Sequence, residues 1–278
     1  MLHPGGVHSE EGASACRCVH CVLIPGPVGT SIFQVTPKPG RRKPPHNPAV
    51  RDLIRAKRGS SKPLEAEAIN AGFLGWHENG YLPHRDEPNL VQFVTYRLED
   101  AFPQELRQEW EFLLKIENDR RRRIEMEAYL DRGRGNCYLH RPEVAKIVED
   151  SLLCFHDNRY DLRAWIIMPN HVHFLIQVWQ VPLSKLVDSC KTFTSRETNK
   201  VIGRRGGLWQ KGYWDTYVRN GEHELRARRY IENNPVKAGL VSFAKDWPWS
   251  SARYRDGYGR LCFPEDRIDP VRALPRAR

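Results

Sequence analysis

Long apolar runs are missing from this chain of 278 residues. A helix that spans a bilayer needs about 18 or more consecutive apolar residues. The most apolar segment, residues 165–178, is interrupted by Pro169, Asn170 and two histidines. The first twenty residues also lack the charged start and apolar block of an export signal. The sequence therefore predicts no membrane span and a cytoplasmic location.

Acidic residues are outnumbered, with 34 Asp and Glu against 44 Lys and Arg, which gives a formal net charge of +10. The commonest polyanionic partner of such a protein is nucleic acid, and an anionic membrane surface is the alternative.

Cysteine is scarce as well. The seven cysteines, an odd number, are spread along the chain, unlike the disulfide framework of a small secreted domain. Hydrophobic residues make up 40% of the chain, which is enough for a packed core.

Proline and glycine are concentrated near the start of the chain, where eleven of the 20 prolines and ten of the 20 glycines fall within the first 90 residues. Such a composition cannot bury enough apolar area to offset its ordering entropy, so we predict that residues 1–70 are a flexible or disordered extension. Cys16, Cys18 and Cys21 lie there at close spacing and could hold zinc. A second pair of ligands is missing nearby, which favours unpaired cysteines in a flexible tail.

From Leu90 onward the periodicities are regular and predict alternating elements. The predicted strands are residues 91–98, 162–168 and 172–178, with an aromatic strand or turn over 208–218; the predicted helices are residues 103–129, 142–155 and 183–202, and one from 222 into Tyr230. This order favours an α+β fold with a ferredoxin-like antiparallel sheet flanked by helices. We predict one domain over residues 71–258 and a C-terminal tail over 259–278.

Two histidines stand out in the segment WIIMPNHVHFLIQV, residues 165–178. On a strand, His171 and His173 project to one face while Val172 and Phe174 project to the other. Two neighbouring imidazoles on a fixed strand can bind a divalent ion. The alternative, two histidines on a solvated face, is about equally well supported by this pattern.

A second group lies on the predicted helix EHELRARRYIENNPVKAG, residues 222–239. There Ala227, Tyr230 and Asn234 fall on one stripe. Pro235 disfavours helical backbone at Asn234, so the helix is expected to end or kink there and Asn234 could be a cap. For Tyr230, the residues alone favour a packing role.

These segments, followed by WPWSSARY at residues 247–254, together resemble the single-tyrosine HUH transposases and most closely the REP-associated tyrosine transposases. The resemblance covers about residues 71–255 and implies an HUH endonuclease core. It implies that Tyr230 is the nucleophile and that His171, His173 and Asn234 hold Mg²⁺ or Mn²⁺. It also implies single-stranded or hairpin DNA as partner, no membrane, a monomer or homodimer, and a location at the nucleoid.

The implied activity is metal-dependent cleavage and rejoining of a DNA strand through a 5′-phosphotyrosine intermediate, which is the chemistry of a transposase. One alternative is a domesticated protein that binds hairpins of repeated palindromic elements without catalysis. Another is a nuclease in which water attacks in place of tyrosine.

Basic and aromatic side chains are the candidates for DNA contact, because cations neutralise phosphates and aromatic rings stack on unpaired bases. The candidates are Arg120, Arg121, Arg122, Arg204, Arg205, Arg226, Arg229, Trp209 and Tyr213. A solvated surface charge is the alternative for each arginine, and core packing is the alternative for the aromatic residues.

Overall fold

The computed structural model describes residues 48–79, 82–101 and 119–263. The elements in chain order are α1 (Pro48–Ser60), α2 (Ala66–Ala71), β1 (Gly75–Asn79), β2 (Leu82–Asp86), β3 (Val91–Arg97), α3 (Asp119–Asp131), α4 (Pro142–Leu153), β4 (Tyr160–Ile167), β5 (His171–Val178), α5 (Leu183–Ile202), β6 (Trp214–Tyr217) and α6 (Gly221–Lys237). Short 3₁₀ turns occupy Tyr138–His140, Ala244–Asp246 and Ser251–Tyr254.

The main sheet is antiparallel, with its strands in the order β4-β5-β3-β6. Helices α3 and α4 connect β3 to β4, β4 and β5 form a hairpin, and α5 connects β5 to β6. This connectivity is the βαββαβ order of ferredoxin-like domains. The predicted fold class is therefore confirmed. In the centre of the sheet, Thr95 lies opposite His173, and Arg97 lies opposite His171.

One face of the sheet packs against α4 and α5. Val172, Phe174, Ile176 and Val178 alternate along β5, are at most 1% exposed and share one apolar cluster with residues of both helices. Burying four such side chains stabilises the fold by roughly 1.5–3 kcal/mol each. This cluster fixes β5 rigidly, so the side chains on its other face also have fixed positions.

Helix α6 covers the other face of the sheet. Phe93, Leu175 and Ile231 are buried there with Trp247, whose indole nitrogen donates to the carbonyl oxygen of Ile167 at 2.9 Å. The histidine face of β5 is therefore enclosed between the sheet and a helix. The alternative of a solvated histidine face is wrong, because both imidazoles are 0% exposed.

Helix α1 and all of α2 except its last residue, Ala71, lie inside the extension over residues 1–70 that we predicted to be flexible. Val50 and Ile54 of α1 are buried against Trp76 of β1, and Arg58 donates to the carbonyl oxygen of Trp76 at 2.6 Å. Residues 48–70 thus differ from the expectation, because an amphipathic helix gains a partner in the β1–β2 hairpin. The predicted domain boundary itself stays a prediction, and Cys16, Cys18 and Cys21 lie outside the described residues.

Near the other end, Phe263 stacks on Trp165 with ring centroids 5.7 Å apart and contacts Tyr254. Ordered packing therefore extends beyond the predicted domain end at residue 258, and residues 264–278 lie outside the described part. Among the helices that the structure describes, none has the length and apolar character to cross a bilayer.

Candidate active site

The centre of the site is the histidine pair of β5. His171 and His173 are fully buried, and their ring centroids lie 4.6 Å apart in an edge-to-face arrangement. The Nε2 atom of each ring is buried and makes no hydrogen bond within the described residues. A buried polar atom without a partner costs free energy, so the two nitrogens mark a place for a ligand.

The opposite nitrogen of each ring is held by a neighbour. The Nδ1 of His171 lies 2.7 Å from Oδ1 of Asn170, and the Nδ1 of His173 lies 2.7 Å from the hydroxyl of Thr95. The amide of Asn170 in turn donates to the carbonyl oxygens of Leu130 and Arg134. This fixes its Oδ1 as an acceptor, so His171 carries its proton on Nδ1 and presents a lone pair on Nε2.

Burial sets the charge of both rings. It lowers the pKa of His173 to about 3 and that of His171 well below its ordinary value, and the nearby Lys237 ammonium acts in the same direction on both. Both imidazoles are therefore neutral at physiological pH. Neutral imidazole is the form that ligates a metal ion.

Helix α6 brings the tyrosine to this pair. It starts at Asn220, whose side chain accepts from the backbone N–H of His223 at 2.9 Å, a preferred arrangement at a helix start. Of the predicted stripe, Ala227 and Tyr230 pack against the apolar cluster on this face of the sheet, and Asn234 is fully buried.

The helix does not end before Pro235, whereas the alternative of a helix end had predicted that it would. The helix continues to Lys237, and the backbone N–H of Ala238 donates to the backbone carbonyl oxygen of Asn234 at 2.9 Å. Asn234 and Pro235 are both buried against the rest of the domain. We attribute the continuation to this packing, which offsets the local cost of the proline.

The phenol of Tyr230 lies next to the imidazoles. Its ring centroid is 5.8 Å from that of His173 and 5.9 Å from that of Phe93. The Nδ2 of Asn234 donates to the phenol oxygen at 3.4 Å, while Oδ1 of Asn234 is buried without a hydrogen bond among the described residues. Three buried atoms without hydrogen-bond partners among the described residues, the Nε2 atoms of the two histidines and Oδ1 of Asn234, therefore belong to side chains that surround the Tyr230 phenol.

Two carboxylates of α3 flank this phenol. Burial raises the pKa of Tyr230 well above its ordinary value, and the negative charges of Glu127 and Asp131 add to the effect. Glu127, itself only 8% exposed, accepts the phenol hydrogen. Tyr230 is therefore protonated at rest and has a carboxylate in place to take its proton.

Sequence reasoning missed four residues of this site: Thr95, Asn170, Glu127 and Lys237. Asn170 directly precedes the histidine pair, so its position was a usable signal. Thr95 is on the same face of β3 as Phe93, and strand alternation could have placed it. Nothing local marks Glu127, whose role depends on how α3 packs against α6.

A separate group with metal-ligand chemistry comprises His156, Asp157 and Asp161, whose ligand atoms lie within 4.8 Å of one another. These residues already have partners. The Nδ1 of His156 accepts from the backbone N–H of Leu162 at 3.1 Å, and Asp161 pairs with Arg163 at 3.0 Å. The group therefore lacks the unpartnered buried atoms that distinguish the histidine pair.

The predicted DNA-contacting arginines occupy several surfaces. Arg121, Arg205 and Arg229 are exposed, Arg226 is exposed and pairs with Glu222, and half-buried Arg204 lies 5.6 Å from the Tyr138 ring. Arg120 and Arg122 are on α3, but their side chains lie outside the described part. Their role in DNA binding stays a prediction.

Trp209 and Tyr213 are core residues, which corrects the expectation that they stack on bases. They are 7% and 6% exposed and belong to the main apolar cluster. Trp209 packs edge-on against Tyr96 at 4.7 Å and donates to Thr194 at 2.8 Å. A ring enclosed in this way has no face available to a base.

Part of the chain is similar to a family of transposases. The model of a family described as "Transposase IS200 like" matches residues 141–234. That segment runs from the start of α4 to Asn234, and so contains His171, His173 and Tyr230.

Two individual relatives belong to one kind of transposase, the REP-associated tyrosine transposases. The chain is 30% identical over 121 residues to a "Putative REP-associated tyrosine transposase" of Haemophilus influenzae, covering 38% of this chain and 66% of the relative. It is 32% identical over 100 residues to a "REP-associated tyrosine transposase" of Escherichia coli K12, covering 34% and 56%. The chain thus spans somewhat less than two thirds of each relative. These matches confirm the resemblance to REP-associated tyrosine transposases.

Among solved structures, the chain is similar to a REP-associated tyrosine transposase bound to a REP hairpin. The TM-score is 0.40 at 18% identity, covering 64% of this chain and 85% of that one.

Proposed function

We propose that this protein cleaves and rejoins single-stranded or hairpin DNA through a covalent bond between DNA and Tyr230, as a transposase does. The observation that carries the proposal is the set of unpartnered buried atoms around the Tyr230 phenol: Nε2 of His171, Nε2 of His173 and Oδ1 of Asn234. The named relatives are REP-associated tyrosine transposases. The unpartnered atoms and the similarity to these relatives both support a shared role for His171, His173, Asn234 and Tyr230.

The residues fit a divalent cation. The amide oxygen is a ligand type that suits Mg²⁺ or Mn²⁺, neutral imidazole is a common metal ligand, and all three atoms lack other hydrogen-bond partners among the described residues. His171, His173 and Asn234 would hold the ion. When bound, the ion polarises the scissile phosphate and favours departure of the 3′ oxygen.

The side chains of the protein supply the rest of the reaction. The phenol oxygen of Tyr230 forms a bond to phosphorus as the bond from phosphorus to the 3′ oxygen breaks, and the 3′ oxygen takes a proton from water. The phenol proton passes to Glu127, which already accepts it in a hydrogen bond. The phosphotyrosine ester retains the energy of the broken bond, so a 3′ hydroxyl can attack it and reseal DNA without ATP.

DNA binding is expected to be electrostatic to a large degree, because the chain carries ten excess positive charges and each neutralised phosphate releases counterions. The proposed contacts among the described residues are the exposed arginines Arg121, Arg205, Arg226 and Arg229. A protein with this function works at the nucleoid in the cytoplasm, as a monomer or homodimer.

The test is to incubate the protein with end-labelled hairpin DNA that has a single-stranded flank, with Mg²⁺, with Mn²⁺ or with chelator. We expect a DNA–protein adduct that survives denaturation and forms only with metal. Cleavage without an adduct would favour attack by water. Binding without cleavage under every condition would favour a domesticated hairpin-binding protein.

Thr95→Val tests whether the histidine pair binds the metal. The change removes the hydroxyl next to Nδ1 of His173 and keeps the shape of the side chain. Loss of such an orienting partner costs about 10- to 100-fold in metal affinity, which calorimetry with Mn²⁺ measures. Thr198→Val is the matched control, since Thr198 is also buried and its hydroxyl makes no hydrogen bond in the described part of the chain. An equal change of affinity in both variants would contradict the assignment.

A further inference from the structure

Lys237 lies on the same side of α6 as Tyr230 and Asn234. It is the last residue of the helix, seven positions after Tyr230 and three after Asn234. Residues at these spacings share one side of a helix. Because the helix passes through Pro235 without ending, the lysine is held on the same side as the nucleophile.

The ammonium group of Lys237 lies at the solvent edge of the site. Its Nζ is 5.5 Å from the centroid of the Tyr230 ring and 2.8 Å from Oδ2 of Asp131 on α3. Its charge is felt by both imidazoles, since it contributes to lowering the pKa of His171 and of His173. The side chain is 53% exposed, so a group that arrives from solvent can reach it.

The remaining charges around the phenol are unfavourable for DNA. The carboxylates of Glu127 and Asp131 both act on Tyr230, and negative charges in this place repel a phosphate that approaches the phenol. A phosphate attacked by the phenol has to lie beside the Tyr230 oxygen, within range of the Lys237 ammonium. A lysine ammonium is a compact charge with three donors and a common phosphate ligand.

We infer that Lys237 contacts the DNA phosphate that Tyr230 attacks, exchanging its ion pair with Asp131 for one with the phosphate. The inference rests on the proposed function. Lys237 neither gives nor takes a proton in this role. Its positive charge offsets the repulsion from α3 and stabilises the negative charge that gathers on the phosphate oxygens in the transition state.

The competing interpretation is that the ion pair of Lys237 and Asp131 only joins α6 to α3. Two variants distinguish this interpretation from a phosphate contact. Lys237→Met removes the charge and keeps an apolar stem, while Asp131→Asn breaks the same ion pair and keeps the lysine. A structural pair predicts similar losses in both variants. A phosphate contact predicts loss in Lys237→Met alone, because Asp131→Asn also removes a repulsive charge.

The experiment measures three quantities with labelled hairpin DNA: the initial rate of adduct formation, the salt dependence of binding, and the melting temperature of each variant. We expect Lys237→Met to slow adduct formation by about 10²- to 10³-fold, the usual effect of removing one transition-state donor. Asp131→Asn should raise the rate, because it removes a negative charge that acts on Tyr230 and releases the lysine from its ion pair, and Lys237→Arg should restore most of the wild-type rate. Equal rate losses in Lys237→Met and Asp131→Asn would overturn the inference.

The salt dependence tests the contact without relying on cleavage. Loss of one phosphate contact should reduce the slope of log K against log salt by about 0.7 for single-stranded DNA. An unchanged slope in Lys237→Met would overturn the inference even if the wild-type protein forms the adduct. Absence of the adduct in the wild type, with a reduced slope in the variant, would instead reject the proposed catalysis and keep the phosphate contact.

Discussion

Tyr230→Phe is expected to abolish the covalent DNA adduct and to lower strand cleavage by more than about 10⁴-fold, because no other atom takes over the role of a deleted nucleophile. Phenylalanine keeps the ring that contacts Phe93 and His173 and loses only the hydroxyl beside Asn234. Folding and hairpin binding should therefore persist. Denaturing electrophoresis of labelled DNA measures the adduct, and a mobility-shift titration measures binding.

Tyr160→Phe is the control for this change. Tyr160 is 1% exposed, belongs to the cluster on the other face of the sheet and donates to the carbonyl oxygen of Leu152 at 2.6 Å. Removing its hydroxyl should cost about 1 kcal/mol of stability and leave adduct formation intact. Cleavage that persists in Tyr230→Phe would assign the attack to water, and an equal loss in both variants would indicate a folding effect.

His171→Ala is expected to have the second largest effect. It removes one of the proposed ligands, so the loss of metal affinity should exceed the roughly 10- to 100-fold cost of losing an orienting partner. Cleavage should fall with it. Calorimetry with Mn²⁺ reports affinity directly, and cleavage assays across a metal titration show whether more metal restores the rate.

His156→Ala is the matched control, since His156 belongs to the other group with metal-ligand chemistry in the described residues. Metal affinity and cleavage should both survive this change. If His156→Ala removed metal binding while His171→Ala kept it, the metal would belong to the group of His156, Asp157 and Asp161. The proposed role of the histidine pair would then be wrong.

Local periodicity predicted much of the fold. The alternation over residues 91–98 and 172–178 predicted two strands that the structure contains as β3 and β5, and the helix predicted over residues 183–202 is present with the same bounds. Alternation works well here because these strands are central and each buries a largely apolar face. The local rule that a proline disfavours helical backbone at the residue before it predicted a helix end at Asn234. Packing opposed this rule, and the helix continues through Pro235.

Side-chain environments were harder to predict. Trp209 and Tyr213 stand among polar residues in the sequence and therefore suggested exposed aromatic rings, yet both are buried. Their burial results from contacts with Tyr96, Thr194 and His84, which are distant along the chain. Similarly, residues 48–60 have few apolar side chains, and Trp76 provides the surface on which they are buried.

The sequence by itself determined the strand that carries His171 and His173, the helix that carries Tyr230, and the positive charge of the chain, because these follow from spacing and composition. Only the tertiary structure enclosed the imidazoles under α6, aligned them through Thr95 and Asn170, and placed Glu127 and Lys237 beside the phenol. Charge state, hydrogen bonding and desolvation depend on groups that are distant in sequence, and folding alone brings those groups together.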